Sequence, residues 1–240
     1  MQKLFVRCSI ALVAIALASP LSAQERVTPP EDFFGHEVCA DYVRFNYEAM
    51  HEYVIQLTNE SDRMVLDTIG FTEEGRPQFQ AIITSPENHA DLDRYKEISR
   101  RLAKSEGVSR EEARRLAAEG KAIIWIDGGL HATEVLGAAQ LTEMIYRLNE
   151  YNDPETLRIL DDVVILATHA NPDGMTLVSD WYMRVDDPMA RSTSGVPVLY
   201  NKYAGHDNNR DFYMAALAET QNMNRSMYRD WPHWPSSPTH

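Results

Sequence analysis

Two polar side chains with the chemistry of metal ligands lie close together in the middle of the chain. His131 and Glu134 follow a short run of apolar residues, 122–126, and a glycine-containing turn. Imidazole nitrogen and carboxylate oxygen both bind zinc, and a spacing of three places them on one side of a helical turn. A helix start with an exposed histidine and an early glutamate has the same pattern. The pair is therefore a candidate half of a zinc site.

Three further polar motifs follow in the second half of the chain. Asn-Pro-Asp-Gly at 171–174 comes soon after a second apolar run, 163–167, and predicts a tight turn. Arg184 ends the segment Trp-Tyr-Met-Arg, and Asn209 and Arg210 lie in a polar stretch that begins Gly-His-Asp. Each motif alone is typical of surface structure. Whether the motifs form a functional site must therefore be judged from their order and from their position relative to the strands.

The elements around these motifs predict an α/β fold. The apolar runs predict strands at 122–126, buried on both faces, and at 162–168, with a helix over 133–149 between them. A strand, helix and strand with a connection of this length indicate a parallel pair. His131, Glu134 and the Asn-Pro-Asp-Gly segment then lie at the carboxyl ends of neighbouring strands, where ligands of such sheets collect.

Hydrophobic periodicity and turn signals predict the remaining elements. We expect a helix at 41–57, a hairpin from strands 64–69 and 78–84, two surface helices within 91–118 broken near Gly107, and a long unpatterned loop at 171–208. Loops of this length in compact domains are usually functional or disordered, and the position directly after a core strand favours the wall of a pocket.

The ends of the chain have a different character. Residues 1–23 have the pattern of an export signal, with Lys3 and Arg7 before an apolar stretch at 9–18, so we expect a periplasmic or secreted protein. That stretch is too short to span a bilayer core of roughly 30 Å, and no membrane span is predicted. We expect a surface lead-in segment at 24–40, one domain at 41–230 and an irregular, proline-containing tail at 231–240.

Composition limits the classes of partner. The 240 residues are 44% hydrophobic and 25% charged, as in an ordinary globular domain. A formal charge of −13 repels phosphate backbones and argues against nucleic acid. Cys39 is the one cysteine outside the signal, so an internal disulfide is not expected. The oligomeric state is not indicated.

Taken together and in this order, the four motifs resemble those of the zinc carboxypeptidase family. The segment 69–77 also resembles the early hairpin of that family, so the resemblance covers roughly residues 40–230. It implies a mixed, mostly parallel sheet flanked by helices, incomplete at the C-terminus. It also implies a Zn²⁺ cofactor and, as substrates, the C-termini of peptides or proteins.

The resemblance assigns a role to each motif. His131 and Glu134 match two zinc ligands of the family. Arg184 matches the arginine beside the scissile carbonyl, which stabilises the developing oxyanion. Asn209 and Arg210 match the pair that holds the terminal carboxylate of the substrate, a task for which the planar guanidinium is suited.

Two parts of the family pattern have no match. The third zinc ligand, a histidine, and the general base, a glutamate, cannot be assigned, although His233 or His240 would supply a ligand if the tail folded back. The proline-rich end suggests a truncation or a shifted reading frame, and the chain would then be inactive. The function expected is hydrolysis of C-terminal peptide bonds; the alternatives are a zinc amidohydrolase acting on small acyl-amino acids and a noncatalytic peptide-binding fragment.

Overall fold

The computed structural model describes residues 26–201 and 204–232. Its helices are α1 (Pro30–Phe34), α2 (Tyr47–Glu60), α3 (Pro86–His89), α4 (Leu92–Lys104), α5 (Arg110–Glu119), α6 (Leu136–Glu150), α7 (Pro154–Asp162), α8 (Pro172–Met183) and α9 (Ala218–Arg225). Its strands are β1 (Met64–Phe71), β2 (Pro77–Ile83), β3 (Ala122–Gly128) and β4 (Val163–His169). Short 3₁₀ helices form at Pro188–Ala190 and Asn208–Arg210, and a π-helical segment at Ser226–Asp230.

The strands form one mixed sheet in the order β1-β2-β4-β3. β3 and β4 are parallel, with Gly128 opposite His169 at their carboxyl ends. The hairpin strands β1 and β2 are antiparallel, and β2 is also antiparallel to β4. The predicted α/β class with a mixed sheet is confirmed. The expectation of a mostly parallel sheet is not met in the described part of the chain. The hairpin strands β1 and β2 form only antiparallel pairings, so β3 and β4 are the one parallel pair among the described strands.

Helices cover both faces of the sheet. Ile165 and Ala167 of β4 pack into a core shared with α2 and α6, whereas Val164 and Leu166 pack with α4 and α5 on the other side. Successive side chains of a strand point to opposite faces, so the continuous apolar run of β4 supplies both cores. The two surface helices expected within 91–118 are confirmed as α4 and α5.

Two predicted elements differ in extent or setting. Helix α2 begins at Tyr47 rather than near residue 41, because the side chain of Asn46 caps it by accepting from the N–H of Ala49. The expectation that the strand at 122–126 is buried on both faces is wrong. β3 pairs with β4 alone among the described strands, and Ile124 is 43% exposed.

The segments next to the predicted domain contribute to its core. Val27, in the expected surface lead-in, is fully buried and packs in the same cluster as α2. Trp231, in the expected irregular tail, is also buried and lies beneath the ammonium group of Lys96. The predicted signal and the tail from residue 233 onward lie outside the described residues. None of the described helices is long and apolar enough to cross a membrane.

The long loop expected at 171–208 begins instead with a helix. Helix α8 has no clear periodicity in sequence because most of its residues are buried, including Met175, Val178 and Ser179. The Asn-Pro-Asp-Gly segment is therefore the start of this helix rather than a tight turn. Asn171 is its N-cap and accepts from the N–H of Gly174, while Pro172 occupies the first position, where no N–H is needed.

Candidate metal centre

The loop that follows β3 packs directly against the ring of a buried histidine, His169. Gly129 has φ +74, and a Cβ atom at this position would lie 2.2 Å from Nε2 of His169. Only a residue without a side chain fits both the left-handed backbone and this close approach. The loop is further fixed by a hydrogen bond of 2.9 Å from the N–H of Ala170 to the carbonyl of Gly128. The sheet edge thus determines where His131, two residues further on, is placed.

The structure brings His131 and Glu134 together. Nδ1 of His131 lies 3.2 Å from a carboxylate oxygen of Glu134, and the N–H of Glu134 donates to the carbonyl of His131 at 2.9 Å. The pair occupies a turn, because α6 begins at Leu136 and not at residue 133 as predicted. The Glu134 side chain is 76% exposed and that of His131 is 20% exposed, so an ion can reach both donors from solvent.

Asp207 holds the other side of the His131 ring. Its Oδ1 atom lies 3.0 Å from Nε2 of His131 and accepts from the N–H of Asn209 at 2.8 Å. Burial by itself would lower the pKa of His131, but the bonds to Asp207 and Glu134 outweigh it and raise that pKa. The Asn209 N–H and the His131 ring together lower the pKa of Asp207.

Sequence reasoning did not identify Asp207, although its carboxylate directly precedes the Asn-Asn-Arg segment. A carboxylate on the outer nitrogen of a metal-binding histidine is a common arrangement in zinc sites, where it fixes the tautomer and the ring orientation. The donor set therefore fits two zinc ligands and their support. Within 26–201 and 204–232, no group of three or more His, Cys, Asp or Glu side chains is arranged to hold a metal ion. The candidates His233 and His240 lie outside the described residues.

The structure also brings Asn209 to this region. Asn209 lines the same open depression as His131, Glu134 and the glycine turn. Arg210 is the last residue of the short 3₁₀ helix and is exposed, with Nη1 donating to the carbonyl of Asn209 at 3.3 Å. Of the two residues assigned to carboxylate recognition, the structure thus places Asn209 beside His131 and Glu134, whereas Arg210 does not line the depression.

Arg184 lies elsewhere in the described structure. It ends α8, and its guanidinium stacks over the ring of Trp181, with Cζ 3.3 Å from the ring centroid. It lines a separate depression together with Arg76 and Asp180, and no residue of the His131 depression lines that one. Its role at a scissile carbonyl stays a prediction.

His169 is a second residue whose importance the sequence did not indicate. Its side chain is fully buried, Nδ1 accepts from the N–H of Asn171 at 3.2 Å, and Nε2 has no hydrogen-bond partner among the described residues. Burial lowers the pKa of His169 to about 3, so the ring is neutral at physiological pH. Asn171 in turn donates to the carbonyls of Leu130 and Tyr200, at 3.2 Å each. These hydrogen bonds connect the start of α8 to the loop that contains His131.

Several solved structures are similar to parts of this chain. The carboxypeptidase A of Helicoverpa armigera is 16% identical over 57% of this chain and 27% of its own, with a TM-score of 0.39. The thrombin activatable fibrinolysis inhibitor is 16% identical over 68% and 35%, with a TM-score of 0.41. A metallo-carboxypeptidase of Burkholderia cenocepacia is 18% identical over 65% and 36%, with a TM-score of 0.39.

This chain thus spans about a third of the length of these solved structures. No curated protein matches it. The model of the zinc carboxypeptidase family, however, matches residues 50–233, which include all the motifs described above. The chain belongs to the zinc carboxypeptidase family.

Proposed function

We propose that this protein is a zinc-dependent carboxypeptidase that hydrolyses C-terminal peptide bonds. The observation that supports this most directly is the pair of contacts on His131, with Asp207 on Nε2 and Glu134 beside Nδ1. A proton on Nε2, held by Asp207, leaves the Nδ1 lone pair for a metal ion on the side of Glu134.

The residues of the chain would act as follows. His131 and Glu134 hold the zinc ion, and Asp207 keeps the imidazole in the correct tautomer. When bound, the zinc ion supplies Lewis-acid chemistry that activates a water and polarises the scissile carbonyl. Asn209 and Arg210 bind the terminal carboxylate of the substrate beside the half-site, and Arg184 stabilises the oxyanion. The third zinc ligand and the general base have no assignment among residues 26–201 and 204–232.

The first test is the zinc content of purified protein after dialysis at neutral pH. The proposal predicts retained zinc in the wild type and its loss in His131→Ala and Glu134→Gln. His36→Ala is the matched control, because this ring bonds to its neighbouring backbone carbonyl and lies outside the depression. Unchanged zinc content in His131→Ala contradicts the proposed ligand role.

The second test is substrate choice. Zinc-loaded protein is offered a peptide with a free C-terminus, the same peptide with a C-terminal amide, and an acetylated amino acid. Selective release of the last residue from the free peptide supports a carboxypeptidase. Cleavage of the acetylated amino acid alone indicates an amidohydrolase instead.

A noncatalytic peptide-binding protein is the second candidate. It is favoured by the lack of a complete metal-binding group in the described part of the chain. In that case, protein with excess zinc would bind a peptide with a free carboxylate without cleaving it. Arg210→Met would weaken that binding, and the amidated peptide would bind poorly to the wild type.

We further propose a periplasmic or secreted location, based on the export-signal pattern at 1–23. Cell fractionation and N-terminal sequencing test this. A mature protein that begins near Gln24 supports export, whereas an intact N-terminus in the cytoplasmic fraction contradicts it.

A further inference from the structure

A small polar cavity lies next to the depression that contains His131, and Leu130 lines both. Its volume is about 20 Å³, which is enough for one water-sized particle. The polar residues that line it are Asn171, Asp173, Asn201, Asn208, Glu219 and Thr220. All of these except Asn201 are at least nine-tenths buried. They come from different parts of the chain, including the start of α8, the Asn208–Arg210 helix and α9.

Among the amide groups that line the cavity, Asn208 has an oxygen atom without a hydrogen-bond partner in the described residues, whereas the oxygen of Asn171 accepts from the N–H of Gly174. The NH₂ groups of Asn171, Asn201 and Asn208 all donate to backbone carbonyls, those of Leu130, Tyr200 and His206. With its nitrogen bonded to Leu130, the Asn208 amide must direct its oxygen the other way. That Oδ1 atom is buried and has no hydrogen-bond partner among the described residues, while the whole residue is 4% exposed. A buried acceptor left without a partner costs free energy comparable to a lost hydrogen bond.

The cavity also has an excess of negative charge. Asp173 is neutralised by Arg76, whose Nη1 lies 2.9 Å from Oδ1. Glu219 is 7% exposed and forms no ion pair within 26–201 and 204–232. Burial raises the pKa of Glu219, and the nearby charge of Asp173 adds to the effect. A positive ion between these groups would relieve both the repulsion and the desolvation of the carboxylate.

We infer that this cavity binds a hard cation of the calcium type through Asn208 Oδ1 and the carboxylate of Glu219. Oxygen donors without nitrogen or sulfur suit calcium rather than zinc. The ion would join α9 to the segment that contains Asp207. Because Asn208 directly follows Asp207, the cation would hold in place the carboxylate that supports His131. It would not take part in the chemistry at the half-site, so this inference is independent of the proposed function.

The test uses the full chain, freed of metals with a chelator, and terbium as a luminescent substitute for calcium. Tyr200 lines the cavity and is placed to transfer excitation energy to a bound terbium ion. We expect one saturable terbium site whose emission falls when calcium is added. Glu219→Gln should weaken calcium at least about tenfold because it removes a charged ligand, and Asn208→Asp should strengthen it because it adds one.

Two variants separate this site from other acidic groups. His131→Ala removes the metal half-site and should leave the calcium affinity unchanged. Asp93→Asn, in the exposed first turn of α4, should also have no effect. The expected gain in calcium affinity in Asn208→Asp is a result that misfolding would not produce. Near-ultraviolet circular dichroism checks the fold of each variant. The inference is overturned if the wild-type protein has no saturable terbium site, or if Asp93→Asn weakens binding as much as Glu219→Gln does. The cavity would then be interpreted as the site of a water molecule.

Discussion

Nε2 of His131 lies 3.0 Å from Oδ1 of Asp207, although 76 positions separate the two residues in sequence. The contact joins the loop after β3 to the short helix Asn208–Arg210 and sets the orientation of the imidazole. Asp207 is itself fixed, because its Oδ1 atom also accepts from the N–H of Asn209. The proposed zinc half-site therefore depends on a residue that is not one of its proposed ligands.

Removing that support should weaken zinc binding without abolishing it. We expect Asp207→Ala to lower zinc affinity about 10–100-fold, because the imidazole loses the partner that fixes its tautomer. Competition with a chromogenic chelator measures this. Asp187→Ala is a matched control, since Asp187 also precedes a short 3₁₀ helix and accepts from the N–H two residues on. An equal loss in both variants means that helix capping, not support of His131, explains the effect.

The buried histidine should make the fold sensitive to acid. Since burial lowers the pKa of His169 from 6.5 to about 3, the unfolded chain binds this proton more tightly than the folded one. The contribution of His169 to the free energy of unfolding is then retained above pH 6.5 and declines by about 1.4 kcal/mol per pH unit below it, until the pH nears 3.

Urea denaturation at several pH values measures this slope. His169→Asn keeps an acceptor for the N–H of Asn171 and removes the titrating ring, so its stability should fall less steeply between pH 6.5 and 5. Identical slopes for wild type and His169→Asn show that His169 does not cause the acid sensitivity.

The close approach of the metal loop to His169 should make Gly129 irreplaceable. Gly35 has nearly the same backbone conformation, φ +75, but a Cβ there has no atom within 4 Å. We expect Gly35→Ala to cost about 1 kcal/mol from the left-handed backbone alone, and Gly129→Ala about 3 kcal/mol or more because of the added clash.

Chemical denaturation of both variants tests this difference. The double variant Gly129→Ala with His169→Ala removes the atom that the new methyl group meets. It should therefore be less destabilised than the sum of the two single variants. Additive losses mean that the loop does not rest on the histidine ring.

The cap of α8 should contribute more stability than an ordinary cap. Asn171 accepts from the N–H of Gly174 and also donates to two carbonyls of the loops around the half-site. We expect Asn171→Ala to cost about 2–3 kcal/mol. Ser109→Ala, which removes only the exposed cap bond to the N–H of Glu112, should cost about 1 kcal/mol. Equal losses in thermal or urea unfolding would show that the loop contacts contribute nothing.

The amino-acid sequence by itself determined the elements that depend on local pattern. The uninterrupted apolar run of β4, the hairpin of β1 and β2, and the charged helices α4 and α5 were all predictable, because periodicity and turn residues are properties of neighbouring positions. The spacing of His131 and Glu134 likewise indicated a pair of ligands, and the structure places their side chains 3.2 Å apart. The order of the motifs was sufficient to identify the family.

Only the tertiary structure decided which distant residues meet. Asp207 and His169 have no local signal, since their roles arise from contacts with the loop of His131 that form when β3 and β4 pair. Helix α8 was missed because it is buried on most sides and so lacks the polar face that produces a helical period. Periodicity records which faces of an element meet solvent. Contacts between segments far apart in sequence exist only after the chain has folded.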